Sequence, residues 1–133
     1  MKKLNSILLV DDDDITNFVH ESVISDMQAA EQVLVAKNGQ QALTRIQECK
    51  TKSGQLPSLI FVDINMPVMN GFEFLEAYHQ LDEVLQQSII VIMLSTSLNP
   101  KDVEKTKDRS VADFLNKPLT SEKLEAVIEK HFG

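Results

Sequence analysis

Residues 7–10 (ILLV), 59–62 (LIFV) and 89–94 (IIVIML) are apolar at every position, and the runs stop at Asp11, Asp63 and Ser95. Such unbroken runs fit strands covered on both faces of a parallel sheet better than strands with one wet face. The first strand is expected over residues 6–10, after which Ile15, Phe18, Val19, Val23 and Met27 recur at helical spacing and predict a helix. Residues 32–36 (QVLVA) read as a second strand, and Asn38 and Gly39 then lead into a helix with Ala42, Leu43 and Ile46 on one face. Residues 50–57 (KTKSGQLP) are polar, with Gly54 and Pro57 as breakers, and predict a surface loop before the strand at 59–62. Pro67, Asn70 and Gly71 break regular structure again, and Phe72, Phe74, Leu75 and Tyr78 give the next helix its apolar face. After the strand at 89–94, Asn99 and Pro100 suit a helix start, but residues 101–110 carry only Val103 as a large apolar anchor. A short strand over 112–115 ends at Lys117 and Pro118. Leu124, Val127 and Ile128 mark a closing helix capped by Thr120 or Ser121.

Five strand-helix units in succession predict an α/β fold, a doubly wound five-stranded parallel sheet, as a single domain over residues 1–133 with no separate output domain. The length allows a sizeable core without disulfides or structural metal. Cys49 is the only cysteine, which excludes an intrachain disulfide and a Cys-based zinc site and fits a reduced, cytoplasmic thiol. Lys2 and Lys3 precede an apolar run that is too short for an export signal before four aspartates arrive, and no run approaches the ~20 apolar residues of a membrane span. A net charge of −7, with Lys and Arg dispersed, opposes direct nucleic-acid binding and favours a cation or a basic partner surface. His20, His79 and His131 read as solvated or helix-terminal residues rather than ligands.

In open α/β sheets the carboxyl ends of the strands form the crevice where ligands sit. The pattern above puts Asp11, Asp12, Asp13 and Asp14 at that rim after the first strand, Asp63 after the third, Ser95 after the fourth and Lys117 after the fifth. Consecutive carboxylates repel one another unless a cation neutralises them. Asp13 and Asp14 suit a helix N-terminus, whereas Asp11 and Asp12 beside Asp63 suit a hard, oxygen-loving cation, with Mg²⁺ the natural choice. A carboxylate can act as nucleophile toward a phosphoryl group, whose charge then needs a metal and fixed donors; here Lys117 offers an ammonium and Ser95 a hydroxyl.

These residues closely resemble the receiver domains of two-component response regulators, through ILLVDDD, VDINMPVMNG, LSTS and FLNKP in that order along nearly the whole chain. The resemblance implies a flavodoxin-like (βα)5 fold with strand order 2-1-3-4-5, Asp63 as phosphoacceptor, and Asp11 with Asp12 as the acid pair. It also implies Mg²⁺ held by Asp12, Asp63 and the backbone carbonyl of Asn65, with Asp11 acting through water. Ser95 then matches the switch hydroxyl, Phe114 the aromatic that turns inward on activation, and Lys117 the lysine that contacts the phosphoryl group, with a cis Lys117-Pro118 bond. The implied phosphodonor is a histidine kinase or a phosphotransfer protein. The implied reader is a downstream target protein or a second copy meeting through the last two helices and the strand between them.

Three departures stand out. Thr96 stands where a small residue is frequent, Phe114 lacks the hydroxyl of the frequent Tyr, and Ser110 and Val111 replace a common Gly-Ala. A haloacid-dehalogenase phosphatase would need an acid where Asn65 stands, and a flavodoxin would need a hydroxyl- and Gly-rich loop where the four aspartates stand. The remaining alternative is a pseudo-receiver, a protein-binding module of the same fold that is not phosphorylated.

Overall fold

The computed structural model describes residues 3–81, 83–96, 100–106 and 111–133. Five strands, β1 (Leu4–Val10), β2 (Ala30–Ala36), β3 (Leu59–Asp63), β4 (Ile90–Ser95) and β5 (Asp113–Asn116), form one sheet in the order β2-β1-β3-β4-β5. Every neighbouring pair is parallel. The expected α/β fold and strand order are therefore present. Among the described residues, the helices are α1 (Asp14–Asp26), α2 (Gly39–Glu48), α3 (Gly71–His79), α4 (Glu83–Ser88), α5 (Pro100–Thr106) and α6 (Ser121–Phe132).

Alternate residues of each central strand enter different cores, which is why the strands read as unbroken apolar runs. On one face Leu8, Val10, Ile60, Val62, Val91 and Met93 pack with Ala42 and Ile46 of α2 and with Phe74, Leu75 and Tyr78 of α3. On the other Ile7, Leu9, Leu59, Phe61, Ile92 and Leu94 pack with Ile24 of α1 and with Leu124, Val127 and Ile128 of α6. Each fully buried Val, Leu, Ile, Phe or Met side chain among them contributes about 1.5–3 kcal/mol of transfer free energy, the main return against the chain entropy lost on folding.

The structure corrects several expectations. Helix α1 buries Asn17, His20 and Ile24, while Ile15, Phe18 and Val19 are 74%, 71% and 42% exposed, so the first half of its apolar stripe faces solvent and only Val23 and Met27 pack against the core. His20, expected to be solvated or terminal, is 2% exposed. The loop expected over 50–57 starts with a π-helical turn, Cys49–Ser53, which ends at Gly54 with φ 70°, a left-handed conformation that glycine adopts without strain. Helix α4 was not expected at all. Gln86 fastens it by donating from Nε2 to the carbonyls of His79 (3.0 Å) and Leu81 (2.6 Å). β1 and β2 each begin two residues earlier than expected. Thr120 is the N-cap of α6, accepting from the Lys123 N–H at 3.2 Å. His79 and His131 lie in the last turns of α3 and α6, as expected. The readings of Ser97, Asn99 and Ser110, and of the Val103 side chain, fall outside what is described. No helix among the described residues is long and apolar enough to cross a membrane.

Candidate functional site

β1 and β3 are central neighbours, and their register pairs Val10 with Val62, so the next residue of each, Asp11 and Asp63, come side by side at the carboxyl end of the sheet. Asp11 is 4% and Asp63 8% exposed; Asp12, one residue further on, is exposed. One carboxylate oxygen from each of the three lies within 4.8 Å of the others. From the far side, the backbone N–H of Lys117 donates to the Ser95 carbonyl (2.7 Å), tying the end of β5 to the end of β4. The Lys117 side chain then reaches back over the rim, its Nζ 2.5 Å from Asp11 Oδ2 and 3.0 Å from Asp63 Oδ1. The Lys117-Pro118 bond is cis.

The electrostatics follow from this packing. Burial raises the Asp63 pKa and Asp11 adds repulsion; hydrogen bonds from Lys117 and the Ile64 N–H pull the other way and do not offset it. For Lys117, burial acts against the ammonium, but its hydrogen bonds to Asp11 and Asp63 outweigh that and raise its pKa. Two of the three clustered carboxylates thus share one ammonium. An all-oxygen donor set with surplus negative charge suits a hard divalent cation, and the spacing of the three oxygens accommodates one.

The surrounding loops are fixed in ways the pattern only partly suggested. Asp13 is the N-cap of α1, accepting from the Thr16 hydroxyl (2.7 Å) and the Ile15 N–H (3.1 Å); the Thr16 bond is the largest cause of its lowered pKa. Asp14 occupies the first turn of α1 and pairs with Lys37 at 2.8 Å. Asp11 Oδ1 accepts from the Asp13 N–H at 3.0 Å. After Asp63, the Met69 N–H donates to the Pro67 carbonyl (2.7 Å) around Val68, whose φ is 67°. This is a tight three-residue turn that strains a β-branched side chain. The Met69 carbonyl accepts from the Gly39 N–H at 2.9 Å, bracing the loop on α2. Helix α3 starts with a capping box between Asn70 and Glu73. Its first residue, Gly71, donates to the Ile64 carbonyl at 2.8 Å and lies so close that a Cβ there would be 2.5 Å from the Asp63 carbonyl oxygen.

Ser95 is buried at the end of β4, and Thr96 beside it is exposed. Phe114, paired with Met93 across the strands, is half-buried against the core shared with α2 and α3. Asn65 is exposed in the loop just past Asp63. The structure thus gathers Asp11, Asp12, Asp63 and Lys117 into one cluster, with Ser95 joined to it through the backbone of Lys117. Two residues at the site had no chemical signal in the sequence. Asn17 Nδ2 donates to the Asp11 carbonyl (2.8 Å), and His20 Nε2 accepts from the Leu119 N–H (3.1 Å).

The family model for the response regulator receiver domain matches residues 7–129. A solved two-component response regulator from Cytophaga hutchinsonii is 35% identical and superposes with a TM-score of 0.89, over 97% of both chains. Two-component response regulator ORR41 of Oryza sativa subsp. japonica is 30% identical over 129 residues, 97% of this chain and 95% of the relative. Hybrid signal transduction histidine kinase B of Dictyostelium discoideum is 31% identical over 144 residues, and there the match takes in 99% of this chain but only 7% of the relative. With the acid cluster at the sheet's carboxyl end and the lysine reaching across it, this likeness along the chain places the protein in the response regulator receiver domain family.

Proposed function

We propose that this receiver domain accepts a phosphoryl group on Asp63 in two-component signal transduction. The observation that carries the reading is the position of Lys117, whose ammonium spans Asp11 and Asp63 at a rim where an oxygen of a third carboxylate, the exposed Asp12, lies within 4.8 Å of theirs. An Asp63 oxygen attacks phosphorus, a new O–P bond forms, and the bond from phosphorus to the donor breaks with its electron pair leaving on the donor. Lys117 supplies a fixed point charge to the phosphoryl oxygens, and the Ser95 hydroxyl donates to another. Asp12, Asp63 and the Asn65 carbonyl, with Asp11 acting through water, would hold Mg²⁺, which when bound supplies the charge neutralisation that three clustered acids lack. The donor is a histidine kinase or phosphotransfer protein. The exposed Ile15, Phe18 and Val19 on α1, beside the site, give such a protein an apolar anchor.

The response runs through Ser95 and Phe114. A phosphoryl group on Asp63 draws the Ser95 hydroxyl toward it, Phe114 turns into the space vacated, and the surface formed by α5, β5 and α6 changes for its reader, a downstream target or a second copy. The protein acts as a phosphoacceptor in signalling rather than as a turnover enzyme. Incubation with acetyl phosphate and Mg²⁺ should raise the intact mass by one phosphoryl group; an unchanged mass under conditions that modify another receiver domain would favour the non-phosphorylated binding module.

A further inference from the structure

Helix α1 turns two polar side chains into the protein beside the fully buried Ile24 and leaves Ile15, Phe18 and Val19 in solvent, so the buried polar pair needs hydrogen-bond partners there. Asn17 and His20 lie three residues apart, hence on one face of the helix, and are 4% and 2% exposed. Each bonds a loop that carries one end of the Asp11–Lys117 ion pair. Asn17 Nδ2 donates to the Asp11 carbonyl at 2.8 Å, which fixes the turn after β1. His20 Nε2 accepts from the Leu119 N–H at 3.1 Å, which fixes the chain two residues beyond Lys117, and Leu119 is itself buried. The ring closes through Lys117 Nζ and Asp11 Oδ2, 2.5 Å apart.

We propose that His20, with Asn17, is a positioning residue that holds the Lys117 ammonium over Asp63 by clasping both loops to α1. The inference rests on the reading of Asp63 as phosphoacceptor. An imidazole nitrogen that accepts a hydrogen bond carries no proton, so His20 is the neutral tautomer with its proton on Nδ1. Its surroundings agree. Burial lowers its pKa, and the ammonium groups of Lys117 and Lys123 add to that against the opposing pull of Asp11. A leucine would fill the slot but leave the buried Leu119 N–H without an acceptor, whereas a glutamine oxygen can replace Nε2. The Lys117 loop then loses its tether at one end. Misplacement of a reacting group by 1 Å can cost about 100-fold, so a partial shift of Lys117 is expected to slow phosphorylation by about tenfold.

The test is a cycle of rates with acetyl phosphate and Mg²⁺ on four proteins: parent, His20→Leu, Lys117→Ala and the double variant, with His20→Gln as the rescue. The expected result is about a tenfold loss in His20→Leu, recovery in His20→Gln, and no further loss from His20→Leu once Lys117 is already alanine. A purely structural histidine would give equal fractional losses in both backgrounds, and that additivity would overturn the proposal. Exchange of the Leu119 amide and the Nζ signal of Lys117, read by NMR without any phosphodonor, report the clasp independently. Faster exchange and a shifted Nζ signal in His20→Leu are expected, and both unchanged would also overturn it. A parent protein that takes up no phosphoryl group would instead defeat the proposed function, with the NMR readings still deciding the clasp.

Discussion

Replacing Gly71 by alanine perturbs Asp63, the proposed phosphoacceptor, through its backbone while leaving every polar side chain of the site in place. The added Cβ would be 2.5 Å from the Asp63 carbonyl oxygen and 3.0 Å from the Ile64 Cα, both backbone atoms that cannot rotate aside; only the third neighbour, Met93 Cε at 2.9 Å, is a yielding side-chain end. Restoring ordinary van der Waals distance requires the start of α3 and the end of β3 to part by roughly 1 Å, which stretches the Gly71 N–H bond to Ile64, now 2.8 Å. Two effects oppose each other. Alanine is the better helix former by up to ~1 kcal/mol, and less at a first helical position. Overpacking against fixed backbone costs about 1–3 kcal/mol, and weakening a buried hydrogen bond adds about 1 kcal/mol. The clash wins, and a net loss of about 2 kcal/mol is expected, or a fall in Tm of roughly 8 °C for a domain of this size. Because the displaced carbonyl belongs to Asp63, phosphorylation by acetyl phosphate should slow by more than tenfold at temperatures where the variant is fully folded. Urea unfolding gives the stability and intact mass against time gives the rate. Gly71→Ala at parental stability, or a folded variant phosphorylated at the parental rate, would refute the packing argument.

Saturating Mg²⁺ should stabilise the protein, by about 2.7 kcal/mol at 100 times Kd, and Asp12→Ala should lose most of that response in thermal melts; an equal response would place the ion elsewhere. Without divalent cations, the raised Asp63 pKa means that the folded state holds its proton more tightly than the unfolded chain, so this group costs stability as pH rises from its unfolded to its folded pKa. Asp63→Asn should therefore be the more stable protein at neutral pH, with an advantage that vanishes in acid; a gap that stays constant with pH would contradict this. Phe18→Asp should leave phosphorylation by acetyl phosphate unchanged but weaken transfer from a histidine-phosphorylated protein donor by about 2 kcal/mol, roughly 30-fold, and equal effects on both donors would remove the apolar patch from the docking account.

The strands and the rim were legible because their signals are local. A strand covered on both faces must be apolar at every position, and the residue that ends it must be the one at the crevice, so Asp11, Asp63 and Ser95 could be placed from chain order alone. Asp13 as a cap was legible for the same reason, since its partners Ile15 and Thr16 are two and three residues away. The rotation of α1 was not. Both of its stripes have helical spacing, and what favours burying Asn17 and His20 is a pair of backbone groups 6 and 99 residues away that no local pattern displays. Helix α4 has six residues, too few to show a period, and is held by Gln86 reaching back to the end of α3. Gly71 could be read as a breaker, but its closeness to the Asp63 carbonyl depends on how α3 meets β3 in space.

The central claim is that Asp63, among the three clustered acids, carries the phosphoryl group. After brief reaction with acetyl phosphate and Mg²⁺, borohydride reduces an aspartyl phosphate to homoserine, and peptide sequencing by mass spectrometry then locates the altered residue. Homoserine at position 63 alone, absent without Mg²⁺ or without the phosphodonor, is the expected result. Homoserine at position 11 or 12, or at no position while the protein remains folded, would contradict the account.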